Sequence, residues 1–138
     1  MKTLKLLFVI CTVMVLAACQ KDEDYINNDI REDFIGSWKC VQTSKLIPTS
    51  EFTVTIKKDS NLTGRIHLFN FTKLGVNSSV YATISTVNVS EVNIPIQTVQ
   101  SNIIQGSGTQ VNDTKINFEY TVDDGNETDT LTAVFTKL

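Results

Sequence analysis

The chain is short of the residues from which most small catalytic and metal sites are built. Its 138 residues include one histidine, three cysteines, one tryptophan, two prolines and six glycines. A single histidine, His67, precludes a multi-histidine metal site. There is no serine in a nucleophile elbow, no phosphate loop and no metalloprotease helix motif. Nothing in the sequence therefore points to catalysis, a cofactor or a metal. Positive charge is also scarce, with 12 Lys+Arg against 15 Asp+Glu. That argues against nucleic acid, whose partners show a basic face. What is present, 41% hydrophobic and 20% charged residues, suits one folded domain.

Long apolar runs are missing except at the N-terminus. Lys2 and Lys5 precede a run without charge, residues 6–18. As a helix that run rises about 20 Å, short of the ~30 Å hydrocarbon core. It reads as a signal peptide, residues 1–18. Its end, Leu16-Ala17-Ala18-Cys19, resembles the bacterial lipobox. The resemblance implies cleavage before Cys19, diacylglycerol on its sulfur and acylation of its new amine. Each buried methylene adds about 0.8 kcal/mol, so several chains anchor stably where one would not. The following Gln20-Lys21-Asp22-Glu23-Asp24 resembles the lipoprotein export signal of Bacteroidota. That implies the outer leaflet of the outer membrane, facing the medium.

Loss of the leader leaves ten basic residues against fifteen acidic ones, a net charge of −5. Six acids fall in residues 20–33, and residues 19–33 read as a lipidated, self-repelling acidic tether. The negative body should stand off from an anionic lipopolysaccharide surface. With Cys11 removed and Cys19 acylated, Cys40 has no disulfide partner. Between Lys39 and Val41 in a strand, it reads as a small buried hydrophobe.

From Phe34 onward the pattern has period two. Phe52, Val54 and Ile56 alternate with threonines and Lys57; Ile116, Phe118, Tyr120 and Val122 alternate with Asn117, Glu119 and Thr121. Such alternation, rich in Thr and Val, predicts half-buried strands. Eight are expected, near 36–43, 51–58, 64–71, 79–87, 91–98, 101–106, 114–122 and 130–137. Asp59-Ser60-Asn61, Gly75-Val76-Asn77, Gly106-Ser107-Gly108 and Asp123-Asp124-Gly125-Asn126 mark turns between them. Short connections predict an up-and-down antiparallel order, and closure would remove both open edges. The predicted inward set is Trp38, Cys40, Phe52, Val54, Ile56, Ile66, Leu68, Val80, Ala82, Ile84, Val92, Ile94, Ile96, Ile104, Ile116, Phe118, Tyr120, Leu131, Ala133 and Phe135. Most are large, so they favour a filled core over a ligand cavity.

Phe34-Ile35-Gly36-Ser37-Trp38 resembles the Gly-x-Trp opening of lipocalins and their calycin relatives. With Ile94-Pro95-Ile96-Gln97, Ile104-Gln105-Gly106-Ser107-Gly108 and Phe118-Glu119-Tyr120-Thr121-Val122, the body, residues 34–138, resembles the small lipocalin-like lipoproteins of Bacteroidota. The resemblance implies an eight-stranded barrel in which Gly36 and Trp38 form the structural motif at the floor. The late arginine that covers this tryptophan in lipocalins is absent here.

Segment 64–71 carries apolar bulk on both faces. Its His67, Phe69 and Phe71, with Tyr81, are expected to form an exposed aromatic patch for a protein or glycan. Asp123-Asp124-Gly125-Asn126-Glu127 gathers oxygens but lacks the spacing of a calcium loop, and reads as a hairpin turn. Asp129-Thr130-Leu131 resembles the Bacteroidota O-glycosylation motif, which nominates Thr130 as an acceptor. The resulting expectation is a monomeric, surface-anchored outer-membrane lipoprotein whose small barrel is a non-catalytic binding or interaction module. Its partner is a protein, a glycan or a small hydrophobic molecule. Two alternatives stand beside it: a carrier of a small hydrophobic ligand in a barrel pocket, and an accessory subunit of an outer-membrane uptake complex.

Overall fold

A computed structural model describes residues 29–138, and each predicted strand segment appears there as a strand. They are β1 (Gly36–Ser44), β2 (Ser50–Lys58), β3 (Arg65–Phe69), β4 (Ser79–Ile84), β5 (Glu91–Val99), β6 (Asn102–Asn112), β7 (Lys115–Asp123) and β8 (Thr128–Lys137). Each pairs antiparallel with the next, and β8 returns to β1, from Trp38 opposite Lys137 to Ser44 opposite Leu131. The protein is a closed, eight-stranded, antiparallel up-and-down barrel, so no strand keeps an open edge. The β1–β2, β3–β4, β5–β6 and β7–β8 connections gather at one end, the mouth. The other connections and the segment entering β1 gather at the opposite end, the floor.

Trp38, Val54, Ile66, Leu68, Ile104, Ile116 and Phe135 are sealed inside. Each fully buried large side chain adds about 1.5–3 kcal/mol. At the floor, Trp38 donates from Nε1 to the Phe34 carbonyl at 2.8 Å. Lys137 places Nζ 5.2 Å from the Trp38 ring centroid and donates to the Asp33 carbonyl. A lysine thus supplies the cation over the tryptophan in a chain with no late arginine.

Residues 29–33, expected to belong to the acidic tether, are instead fixed to the barrel floor. Arg31 is nearly buried; it grips Asp29 with Nε and Nη2, both at 2.8 Å, and donates from Nη1 to the carbonyls of Asp59 and Leu62. Lys58 pairs with Asp29 and Glu32. Neutralised by these cations, acids expected to repel one another instead staple the chain to the floor.

Three further expectations are corrected. Ile96 is 66% exposed, because the β5–β6 register shifts between Ile94 and Gln97 and a bulge turns the following side chains over. Segment 64–71 does not run through as one strand. Asn70 adopts a left-handed backbone (φ 61°), β3 ends at Phe69, and Phe71 turns into the barrel, fully buried. Gly106-Ser107-Gly108 is no turn but the middle of β6. A Cβ on Gly106 would lie 2.4 Å from both the Glu119 carbonyl oxygen and Tyr120 Cβ, and one on Gly108 2.4 Å from the Phe118 ring. These glycines let β7 and its inward aromatics close in on β6.

Candidate functional site

The mouth is plugged from within. The β3–β4 connection carries three non-glycine residues at positive φ, Asn70, Thr72 and Lys73. Asn70 holds the bend by donating to the Thr53 carbonyl (2.9 Å) and accepting from the Gly75 amide (3.1 Å). The bend drives Phe71 down the barrel axis. Its ring centroid lies 4.5 Å from Tyr120, 5.9 Å from Phe118 and 6.2 Å from Phe135. Beside it, the Tyr120 hydroxyl donates to Gln42 Oε1 at 2.6 Å, both buried. Burial pushes the Tyr120 phenol above its ordinary range and the Cys40 thiol up to about 12, so both are neutral at physiological pH. Side chains fill the axis from Trp38 to the tilted Phe71–Tyr120 pair.

Above this plug lies a groove of about 330 Å³, lined by Leu46, Ile47, Thr72, Leu74, Asn102, Val122, Asp124, Glu127, Asp129 and Leu131. The β1–β2, β3–β4 and β7–β8 connections contribute to it, with Asn102 at the start of β6. Ser44, the last residue of β1, organises one wall. Its Oγ accepts from the amides of Leu46 (3.0 Å) and Ile47 (2.9 Å) and donates to Asp129 Oδ2 at 2.5 Å. The β7–β8 hairpin forms the adjoining wall. There Asp123 accepts from the Gly125 amide and the Thr128 hydroxyl, and Asp124 from the amides of Asn126 and Glu127. The amides of Glu127 and Asn126 hold the Asp124 carboxyl below its ordinary value. Two carboxylates therefore shape the turn, leaving Glu127 and Asp129 for other work. Among the described residues no three His, Cys, Asp or Glu converge as metal ligands.

Two more surfaces are built on the outer wall. A wider concavity of about 670 Å³ crosses β5 to β8, with Ile96, Gln105, Ser107, Glu119 and Thr130 among its lining residues. On β2–β4, Lys57 stands 5.1 Å from the Phe69 ring centroid and Arg65 4.4 Å from that of Tyr81. His67 Nε2 meets Asp59 Oδ2 at 2.8 Å. The Asn61 amide, His67 and the Leu62 amide together lower the Asp59 carboxyl to about 2.

The predicted site residues fall in different places. Gly36 opens β1 at φ +126°, and Trp38 lies fully buried near the floor. His67, Phe69 and Tyr81 share the outer wall, half-buried, with cations over the two aromatic rings and Asp59 against His67, but Phe71 leaves the expected patch for the core. Thr130 is exposed on β8, whereas its neighbour Asp129 is buried. Cys19 and the segment Gln20, Lys21, Asp22, Glu23 and Asp24 lie outside the described residues. Sequence reasoning missed Gln42, Arg31 and the mouth role of Asp129. Asp129 had a signal: an acid at an inward position of an otherwise apolar alternation with Leu131, Ala133 and Phe135.

No family model and no curated protein matches this chain. Among solved structures, the fold is similar to that of a redesigned beta barrel at 20% identity and a TM-score of 0.57, covering 80% of this chain and 96% of that one. It is likewise similar to EF1p2_mFAP2b bound to DFHBI, at 16% identity and a TM-score of 0.57, covering 80% and 98% of the two chains. The likeness at these identities is one of fold.

Proposed function

We propose that the protein is a lipocalin-like lipoprotein of the bacterial outer membrane, anchored through Cys19 and facing the cell exterior. Its barrel acts as a monomeric, non-catalytic binding module. The observation that carries the binding reading is the filled axis. With Phe71, Tyr120 and Trp38 occupying the interior, the mouth groove is where apolar lining and free carboxylates meet. The chain enters the barrel at the floor, so an anchor preceding residue 29 is attached at the end opposite the mouth. The similarity to a barrel solved bound to DFHBI is in keeping with a binding role. An internal-pocket carrier is less well supported, because Phe71 would first have to leave the core.

Metabolic labelling with an alkyne palmitate analogue tests the anchor. The wild-type chain should take up label and Cys19→Ser should not. Protease added to intact cells should then remove the barrel. Label retained in Cys19→Ser, or a barrel protected until the cells are lysed, would overturn the respective half of this reading.

A further inference from the structure

We propose that the mouth groove binds a small cationic amphiphile, an ammonium group carried on an apolar or aromatic body. The ammonium would sit against Asp129 and Glu127, and the body would lie on Leu46, Leu74, Val122 and Leu131. This deepens the binding-module reading and rests on it.

Asp129 carries the argument. The residue is only 8% exposed and lines the groove. Its Oδ2 takes the single hydroxyl proton of Ser44, whose lone pairs are already engaged by the Leu46 and Ile47 amides. Ser44 can therefore only donate to Asp129, which must act as an acceptor there. Oδ1 receives no hydrogen bond among the described residues, yet it is not sealed from solvent. No described lysine, arginine or histidine comes within ion-pair distance of Asp129 or Glu127. The Asp29 and Glu51 carboxylates, by contrast, each have a cation, and Asp59 has the His67 ring.

An occupant that covers this groove takes water from Asp129. A neutral occupant would leave an unpaired buried charge and an anionic one would add repulsion, so a cation is the complementary partner. A bare metal ion fits less well, since too few ligating side chains converge and half the lining is aliphatic. An organic ammonium satisfies both walls at once.

The test uses the full chain in phosphatidylcholine nanodiscs at neutral pH. Three probes share one skeleton: phenylbutylamine, phenylbutanol and phenylbutyrate. NMR titration should show the amine binding about tenfold tighter than the alcohol, with the carboxylate not binding. The largest shifts should fall on the methyls of Leu46, Leu74 and Val122. Asp129→Asn keeps an acceptor for Ser44 and removes only the charge, so it should abolish the amine's advantage and leave alcohol binding unchanged. The exposed Glu127→Gln should reduce the advantage by about threefold, and it carries the test if Asp129→Asn does not fold. Equal binding of amine and alcohol, no binding of either, or an unchanged preference in a folded charge variant would each overturn the proposal. If protease reaches the barrel on intact cells but the amine has no preference, only the ligand class falls. If the preference holds with the barrel protected, only the cell-surface reading falls.

Discussion

The side-chain amide of Gln97 takes the place of a backbone peptide opposite Tyr81. It accepts from the Tyr81 amide at 2.9 Å and donates to the Tyr81 carbonyl at 2.8 Å. The substitution has a cause in the sequence. Pro95 has no N–H, the bulge beyond Ile94 turns β5 away, and backbone pairing between β4 and β5 is confined to Thr83–Asn93 and Ile84–Val92. The Gln97 amide continues the seam by imitation. Gln97→Ala should therefore destabilise the barrel by about 1–3 kcal/mol, the cost of leaving the two Tyr81 groups without partners. Urea denaturation measures it, and a variant as stable as wild type would show that water replaces the amide without loss.

The two glycines of β6 make a steric prediction. Gly106→Ala puts its methyl against backbone, the Glu119 carbonyl, and should cost about 1–3 kcal/mol. Gly108→Ala meets the Phe118 ring, which can turn, and should cost less. A smaller loss at position 106 than at 108 would contradict this ordering.

Phe71→Ala should cost about 3–5 kcal/mol, as should Trp38→Ala at the opposite end. Only the first should open a dry cavity against Tyr120, Phe118 and Phe135. Benzene should then raise the Tm of Phe71→Ala while leaving wild type unchanged. A Phe71→Ala protein indifferent to benzene would mean that the mouth collapses instead.

Acid should loosen the floor in a defined range. Asp59 stands at about 2 in the fold against an ordinary 3.8, through the amides of Asn61 and Leu62 and the side chain of His67. Asp29 is lowered as well, chiefly by Arg31 and then Lys58. A depressed folded value means that the unfolded chain binds the proton first. The stabilisation is thus complete above the ordinary value and is lost as pH falls from about 3.8 toward about 2. Circular dichroism melts across that range should show Tm falling in wild type and falling less steeply in Asp59→Asn. Parallel profiles would remove Asp59 from the explanation.

Period-two alternation was enough to place eight strands and nearly the whole inward set, because each strand buries one face and only one. It failed where a single residue changes the phase. A bulge after Ile94 exposes Ile96, and the left-handed Asn70 sends Phe71 inward; neither event alters the hydrophobic pattern itself. The glycine pair in β6 misled for a related reason, since a small residue marks a close approach as readily as a turn. The groove was hidden because it is assembled from three connections and the ends of three strands that only closure brings together. Asp129 was in view as part of a three-residue motif, but its burial beside Ser44 depends on the pairing of β1 with β8.

That same pairing is the one seam that no local hairpin can make. Trp38 meets Lys137 across nearly the full length of the barrel sequence, whereas each of the other seams joins neighbouring strands. Hairpins can form locally, but closing this last seam brings together residues about a hundred positions apart, a topology that folds in ~ms to s. Until it closes, β1 and β8 are bare edges able to recruit the same strands from another chain. Closure through β8 is thus what removes both edges at once from exchange with another chain.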